Sequence, residues 1–149
     1  MSVFTTRGAT ENDLPAMIRI ANICFSDPWS ESAFSSTLPH ATVLEHNGEA
    51  VGYSVLAQLG DESELYDIAV LPELQGTGAA KQLFEYALSR LTGEVNTLYL
   101  EVREGNARAR AFYTKLGFVQ IGVRKNYYDN PKENAILMSL DLKRNERQE

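Results

Sequence analysis

Apolar residues recur along the chain with the two periods that distinguish helices from strands. In residues 14–24 the apolar side chains stand three or four positions apart, which predicts an amphipathic helix, and residues 83–91 repeat this pattern. Runs rich in β-branched residues predict strands, and the Asn47-Gly48 pair between two such runs predicts a tight hairpin. Both helices and strands are therefore expected.

The predicted elements follow a simple order: a strand, two helices, three strands, a helix, a strand, a helix and two strands. Strands are predicted at residues 3–7, 41–45, 50–59, 64–70, 97–102, 118–128 and 135–142, and helices after Thr10, at 30–38, around 83–91 and at 106–116. Because hairpins alternate with strand–helix units, we expect an α/β (α+β) fold, with a central mixed, largely antiparallel sheet flanked by helices. One domain over 1–149 is expected, with a frayed polar tail at 143–149.

The charge balance indicates which partners suit the surface. The 149 residues include 14 Lys and Arg against 20 Asp and Glu, a net charge of −6. Such a surface repels nucleic acid phosphates and anionic lipids, and attracts basic proteins. No apolar run approaches the roughly 18 residues that a membrane span requires, so we expect a cytoplasmic protein. The one cysteine, Cys24, lies on an apolar helical position and is predicted to be a buried structural thiol.

The strongest chemical signal is the segment between the strand that ends at Val70 and the next helix. Two glycines, Gly76 and Gly78, precede the helix. Glycines permit close approach of a ligand to the backbone, and the first N–H groups of a helix have no partner within it. Together they suit a pyrophosphate. A Walker loop would need Gly-Lys-Ser/Thr and a dinucleotide loop three early glycines, so neither fits; an ordinary strand-to-helix turn remains the alternative.

This segment resembles the Gln/Arg-x-x-Gly-x-Gly/Ala motif of the GNAT superfamily of N-acetyltransferases. The resemblance implies that acetyl-CoA binds here, with the backbone of the turn on its pyrophosphate and the preceding strand along its pantetheine arm. The implied cofactor-binding residues are Ile68, Ala69, Val70, Gln75, Gly76, Thr77, Gly78, Ala79, Ala80, Lys81 and Asn106. The family often has a basic residue within this turn, whereas this chain has Gly76 and Thr77, so binding is expected to depend more on backbone amides.

A second segment supplies the candidate proton-transfer groups. Glu101 ends a strand in Leu-Glu-Val-Arg, and Tyr113 follows seven residues after Asn106 on the next helix. This segment resembles the bacterial ribosomal-protein-alanine N-acetyltransferases. Glu101 is the candidate base for the attacking amine, directly or through a water, and Tyr113 the candidate proton donor to the leaving thiolate. The N–H of Val70 is the candidate oxyanion donor.

Each of these residues also has a structural alternative. Glu101 could face solvent and pair with Arg103 on the same strand face, and Tyr113 could be a core aromatic. Asn106 could serve only as a helix N-cap. The rival carboxylates are Glu62, Glu64 and Asp67, of which Glu64 is the second choice as base.

Aromatic residues in two segments, 28–30 and 126–128, suggest where the acceptor of the acetyl group binds. The same resemblance implies that Trp29, Tyr127 and Tyr128 flank a peptide groove, although an ordinary half-buried tryptophan and edge-strand tyrosines are the alternative.

Together with these residues, the resemblance implies acetyl transfer from acetyl-CoA to the N-terminal α-amine of a protein, with a basic ribosomal protein as the expected partner. The alternatives are transfer to lysine or a small amine, and a CoA-binding module without turnover. We expect direct attack without a covalent intermediate and no metal, because His40 and His46 lack the spacing of a metal site. Neither nucleic acid nor membrane is an expected partner.

Overall fold

A computed structural model gives the structure of residues 3–129 and 131–142. The predicted frayed tail at 143–149 lies outside these described residues. The elements are β1 Phe4–Gly8, α1 Leu14–Cys24, α2 Glu31–Thr37, β2 Ala41–His46, β3 Glu49–Leu59, β4 Glu62–Val70, α3 Ala79–Ser89, β5 Thr97–Arg103, α4 Ala107–Leu116, β6 Val119–Tyr128 and β7 Glu133–Asp141. The predicted order of strands and helices is confirmed.

The seven strands form one mixed sheet in the order β1-β2-β3-β4-β5-β7-β6. The pairs β1–β2, β2–β3, β5–β7 and β6–β7 are antiparallel. β4 and β5 are parallel, and their register runs from Glu62 beside Thr97 to Glu64 beside Tyr99. The predicted mixed, largely antiparallel sheet flanked by helices is therefore confirmed.

The chain forms two compact units. The first holds the chain up to Ala57 together with Tyr66–Leu91, and the second holds Gln58–Leu65 together with the chain from Thr92 onward. The single domain expected over residues 1–149 stays a prediction. Among the described residues, no helix has the length and apolar character that crossing a bilayer demands.

Each unit has its own buried side chains. In the first unit the helical stripe predicted for residues 14–24 places Met17, Ile20 and Ala21 out of solvent, where they belong to a cluster that also contains Phe34, Tyr53 and Leu83. In the second unit alternate residues of β5 are buried, and β7 contributes Ile136, Met138 and Leu140. Burial of one strand face leaves the other face of β5, with Glu101 and Arg103, partly open to solvent.

The turn and cap signals of the sequence have clear outcomes. Asn47 and Gly48 both adopt positive φ, as the hairpin prediction requires. Thr10 is the N-cap of a short 3-10 turn, Glu11–Asp13, which leads directly into α1 at Leu14. The Asp13 carboxylate accepts a 2.7 Å bond from the Thr10 N–H, as in a capping box, and is paired with Arg7 at 2.8 Å.

Candidate functional site

The first candidate region is the β4–α3 turn, residues 71–78, in the first unit. A 3-10 turn at Pro72–Leu74 follows β4, and Gly76 and Gly78 then adopt left-handed conformations with φ of +83° and +88°. A side chain on either glycine would strain the backbone, while a Cβ there would meet no atom within 4 Å. The two glycines are therefore required by the path of the chain, and the space in front of them is open.

Several N–H groups at the start of α3 have no internal acceptor. The Thr77 N–H donates to the Leu74 carbonyl at 3.4 Å, and the Ala79 N–H donates to the Thr77 hydroxyl at 3.3 Å. The first bond of the helical ladder runs from the Gln82 N–H to the Gly78 carbonyl. Within the part of the chain that the structure describes, four N–H groups of this segment donate to no protein atom: those of Gly76, Gly78, Ala80 and Lys81. Four such donors at the positive end of a helix are suited to an anion.

The end of β4 is fixed by hydrogen bonds on both sides of one peptide. The Leu71 N–H donates to the Val51 carbonyl at 2.9 Å. The Val70 carbonyl accepts from the Gln75 side-chain amide and from the Cys24 thiol, each at 3.4 Å. Gln75, which the sequence predicted to bind cofactor, therefore directs its side chain back to its own strand. The predicted pantetheine-binding residues 68–70 lie beyond the three residues of β4 that pair with β5.

Cys24 is half-buried rather than buried as predicted, because it is the last residue of α1. Burial raises the pKa of its thiol, and the negative charges of Asp67 and Glu73 raise it further. A nucleophilic cysteine needs a thiolate, so this environment favours a structural thiol.

A hydrogen-bonded carboxyl group, Asp67, lies next to the predicted pantetheine-binding residues. Its Oδ2 accepts a 2.7 Å bond from the Tyr53 hydroxyl. Burial raises the pKa of Asp67 to about 6, although the bond from Tyr53 acts in the opposite direction. The Tyr53 ring packs edge-on against Phe34 at 5.3 Å, and Phe34 packs against Trp29 at 5.4 Å. Trp29, the predicted acceptor-side residue, is thus half-buried at the end of an aromatic row.

The second candidate region lies in the second unit, and we call Glu64, Glu101, Arg124 and Tyr128 the carboxylate cluster. Glu101 forms an ion pair with Arg124 of β6, with Nη1 and Oε1 3.6 Å apart. The sequence had offered Arg103 as its partner, but Arg103 is paired with Glu133 at 3.2 Å. This alternative for Glu101 is therefore not what the structure shows, because β6 and β7 contribute charges that no spacing along β5 reveals.

Glu64, the second-choice base, lies close to Glu101 on the same face of the sheet. Glu64 is beside Tyr99 in the parallel register, and Glu101 is two residues further along β5, so both carboxylates project to one side. Burial raises the pKa of Glu64 and the charge of Glu101 raises it further, whereas Arg124 lowers it. The structure therefore places the two candidate bases, Glu64 and Glu101, close together, and the Arg124 guanidinium group interacts with both.

Each of the two predicted acceptor-side tyrosines lies beside an arginine. Tyr127 and Tyr128 contact each other edge to face at 5.1 Å. Arg103 lies 4.3 Å from the centre of the Tyr128 ring, and Arg124 lies 5.4 Å from that of Tyr127. Burial raises the pKa of Tyr128, and the charge of Glu101 adds to the effect. The link from Glu101 through Arg124 to Tyr127 was not predicted from the sequence.

Tyr113 and Asn106 occupy the positions that the helix prediction gave them. Tyr113 is half-buried on α4, and its ring packs against Phe112 at 5.6 Å and Phe118 at 5.7 Å. The Asn106 Oδ1 accepts from the Ala109 N–H at 3.1 Å, which makes Asn106 the N-cap of α4. The cap role is thus confirmed, and the predicted contact with CoA stays a prediction.

Two arrangements that the sequence analysis did not single out are the Tyr53–Asp67 bond and the Arg124–Glu101 pair. Tyr53 lies in a continuously buried stretch of β3, and its bond to Asp67 of β4 is seen only in the structure. Over residues 3–129 and 131–142, no three His, Cys, Asp or Glu side chains are grouped as a metal ion would need.

Comparison with known proteins points to one kind of enzyme. A family model described as "Acetyltransferase (GNAT) family" matches residues 14–118. The ribosomal protein bS18-alanine N-acetyltransferase of Escherichia coli strain K12 is 37% identical over 136 residues, covering 87% of this chain and 92% of that protein. The Haemophilus influenzae protein of the same name is 41% identical over 103 residues, covering 66% of this chain and 70% of that protein. The crystal structure of the ribosomal-protein-S18-alanine N-acetyltransferase from Escherichia coli superposes with a TM-score of 0.84 and 34% identity over 94% of both chains.

Proposed function

The chain belongs to the acetyltransferase (GNAT) family, and we propose that it transfers an acetyl group from acetyl-CoA to the N-terminal α-amine of a ribosomal protein. Family membership and relatives named as acetyltransferases favour an enzyme over a CoA-binding module without turnover. The Escherichia coli relative is named for an alanine N-terminus of ribosomal protein bS18. That name suggests the substrate class to test first.

The observation that supports this proposal most directly is the set of four N–H donors at the β4–α3 turn. These donors belong to Gly76, Gly78, Ala80 and Lys81 at the N-terminus of α3. The space in front of the two glycines is open. We propose that they hold the pyrophosphate of acetyl-CoA, and that the backbone of Ile68, Ala69 and Val70 pairs with the pantetheine arm. Bound acetyl-CoA supplies an acetyl group activated as a thioester. Lys81 provides the one cation between Pro72 and Ser89, so backbone dipoles provide most of the stabilisation.

The pKa of the acceptor amine explains why an N-terminus suits this site. A terminal amine has a pKa near 7.7–8.0, so removing its proton at pH 7 costs about 1 kcal/mol, whereas lysine costs about 4–5 kcal/mol. A carboxylate is a sufficient base for the first task and a poor one for the second. We propose that Glu101 accepts this proton, directly or through a water, with Glu64 beside it.

The remaining roles follow from the chemistry of direct attack. Tyr113 is proposed to donate a proton to the departing thiolate. The Val70 N–H is proposed to stabilise negative charge on the carbonyl oxygen, and the bonds to the Val70 carbonyl and Leu71 N–H hold that part of the strand in place. Because the pKa of Cys24 is raised, no acetyl-cysteine intermediate is proposed.

A peptide panel tests the acceptor. The purified chain is incubated with acetyl-CoA and three acceptors: a ribosomal-protein peptide that begins with Ala and contains a lysine, the same peptide with a formylated N-terminus, and a free polyamine. Mass spectrometry should find one acetyl group on the α-amine of the first and none on the second. Faster reaction of the formylated peptide or the polyamine would overturn the assignment to an N-terminal amine. Absence of heat on mixing with CoA would remove the whole proposal.

A further inference from the structure

The two arginines next to the paired tyrosines are held very differently. Arg103 has four partners: the Glu133 carboxylate at 3.2 Å, the carbonyls of Pro131 and Asp129 at 3.3 Å each, and the Tyr128 ring. Within the described residues, the Arg124 side chain has an ion pair with the Glu101 carboxylate, at 3.6 Å, and a contact with the Tyr127 ring, at 5.4 Å. Its side chain is 55% exposed, against 27% for Arg103. Arg103 is therefore anchored, and Arg124 is loosely attached.

We propose that Arg124 is a positioning residue that occupies the Glu101 carboxylate until the α-ammonium group of the acceptor displaces it. This inference rests on the proposed function, since it assumes that Glu101 receives the acceptor amine. It deepens that function by naming the group with which the acceptor competes.

The chemistry of the competing groups supports displacement. Most of an N-terminal amine with a pKa of about 7.7–8.0 is protonated at pH 7, so the acceptor arrives as a cation that seeks a carboxylate. Arg124 is always charged and holds that carboxylate through one long contact, which makes it a weak competitor. Glu64 on β4 interacts electrostatically with both Glu101 and Arg124. The Tyr128 hydroxyl interacts with Glu101, and also with Arg103 and Glu133.

The Tyr127 ring provides a second position for the released guanidinium group. The centre of the ring is already 5.4 Å from Arg124, within the range of a cation–π contact, and Tyr127 is itself exposed. A short movement of the Arg124 side chain from Glu101 to this ring would open the carboxylate without leaving the charge unpaired.

The test asks whether removing the charge of Arg124 increases the apparent affinity for the acceptor peptide. With acetyl-CoA saturating, Arg124→Gln should lower the KM for the Ala-peptide roughly two- to fivefold, the range expected for an exposed ion pair, and change kcat by less than about twofold. Arg124→Lys, which keeps the cation, should retain a KM close to wild type. Lys125→Gln is the matched control, because it removes the same charge from the neighbouring exposed position. Added methylguanidinium should raise the KM of Arg124→Gln back toward the wild-type value.

The outcomes separate the two proposals. If the wild-type chain does not acetylate peptide N-termini, the proposed function fails. If it does, but Arg124→Gln leaves the KM unchanged or raises it with a normal melting temperature, displacement is wrong and the ion pair is structural. An equal fall in KM for Lys125→Gln would also overturn the inference, because the effect would then come from net charge.

Discussion

The β4–α3 turn and the carboxylate cluster use different parts of the chain for their proposed tasks. The turn uses backbone N–H groups, and its side chains serve mainly to shape the backbone: two glycines adopt positive φ and Thr77 accepts from Ala79. The cluster uses side chains from three strands, and the register of β6 with β7 shifts between Arg124 and Tyr128. One region therefore depends on local conformation, and the other depends on strand register.

This difference predicts how each region responds to substitution. A backbone donor is lost only when the conformation of the turn changes, so most side-chain replacements there should be tolerated. A side-chain base is lost with a single atom, and its neighbours in the cluster change its charge environment at once. Two predictions test this contrast and a third compares Glu64 of the cluster with Asp67, beginning with the largest expected effect.

Loss of the proposed base should cause the largest change. Glu101→Gln keeps the shape of the side chain but removes its charge, so kcat/KM for the Ala-peptide should fall about 10²- to 10⁴-fold, as for removal of a general base. Affinity for CoA, measured by calorimetry, should change less than about twofold, because the proposed donors of the turn remain. Steady-state kinetics with the peptide provide the measurement.

Glu94→Gln is the control for the lost charge, since Glu94 is exposed and outside both regions. It should match wild type. If Glu101→Gln retains full activity, Glu101 is not the base, and Glu64, whose pKa is raised, becomes the candidate.

The turn was predictable from sequence because its signal is local. Gly76 and Gly78 directly precede a helical stripe, and both have the left-handed conformation that glycine supplies. The caps at Asn106 and Gly117 and the hairpin at Asn47-Gly48 were predictable for the same reason. In each case, residues within about four positions of each other determine the conformation.

The cluster was only partly predictable because its contacts join distant residues. Glu101 and Arg124 are far apart in sequence, and they meet only because β5, β7 and β6 are neighbours in that order. Irregular register between β6 and β7 shifts which side chains share a face. Counting alternate positions along β5 offered Arg103 as an alternative partner of Glu101, whereas the structure pairs Arg103 with Glu133. The hydrogen bond between Tyr53 of β3 and Asp67 of β4 was likewise not predicted, because it joins residues on different strands.

The second prediction tests whether the turn acts through its backbone. Gly78→Ala puts a Cβ on a residue with φ of +88°, where it costs about 1–2 kcal/mol of stability and disturbs the donors in front of α3. The KM for acetyl-CoA should rise at least about tenfold, the loss expected for one charge-assisted hydrogen bond. Gly48→Ala is a matched control, with φ of +82° and equally open space. It should show the same loss of stability in urea unfolding with an unchanged KM, and equal KM effects in both would contradict a pyrophosphate site at the turn.

The third and smallest effect distinguishes the two carboxyl groups with raised pKa values. Burial and the charge of another carboxylate raise the pKa of Glu64, and Arg124 lowers it. Burial raises the pKa of Asp67 to about 6, and only hydrogen bonds lower it. Between about pH 4 and 6 the unfolded chain has already released the Asp67 proton and the folded chain still holds it, so this group's contribution to stability falls as pH rises through that window. Asp67→Asn removes the titration and still accepts the Tyr53 bond.

Urea unfolding at several pH values measures the consequence. The free energy of unfolding of Asp67→Asn should be close to wild type near pH 4.5 and should exceed it by about 1–3 kcal/mol at pH 7.5, the equivalent of a shift of about two pKa units at most. Asp27→Asn, an exposed site in the same unit, should show no such divergence. A difference between Asp67→Asn and wild type that stays constant with pH would show that Asp67 is ionised in the folded chain throughout. Its bond to Tyr53 would then be a charged one, and Asp67 would resemble Asp13, whose pKa Arg7 lowers.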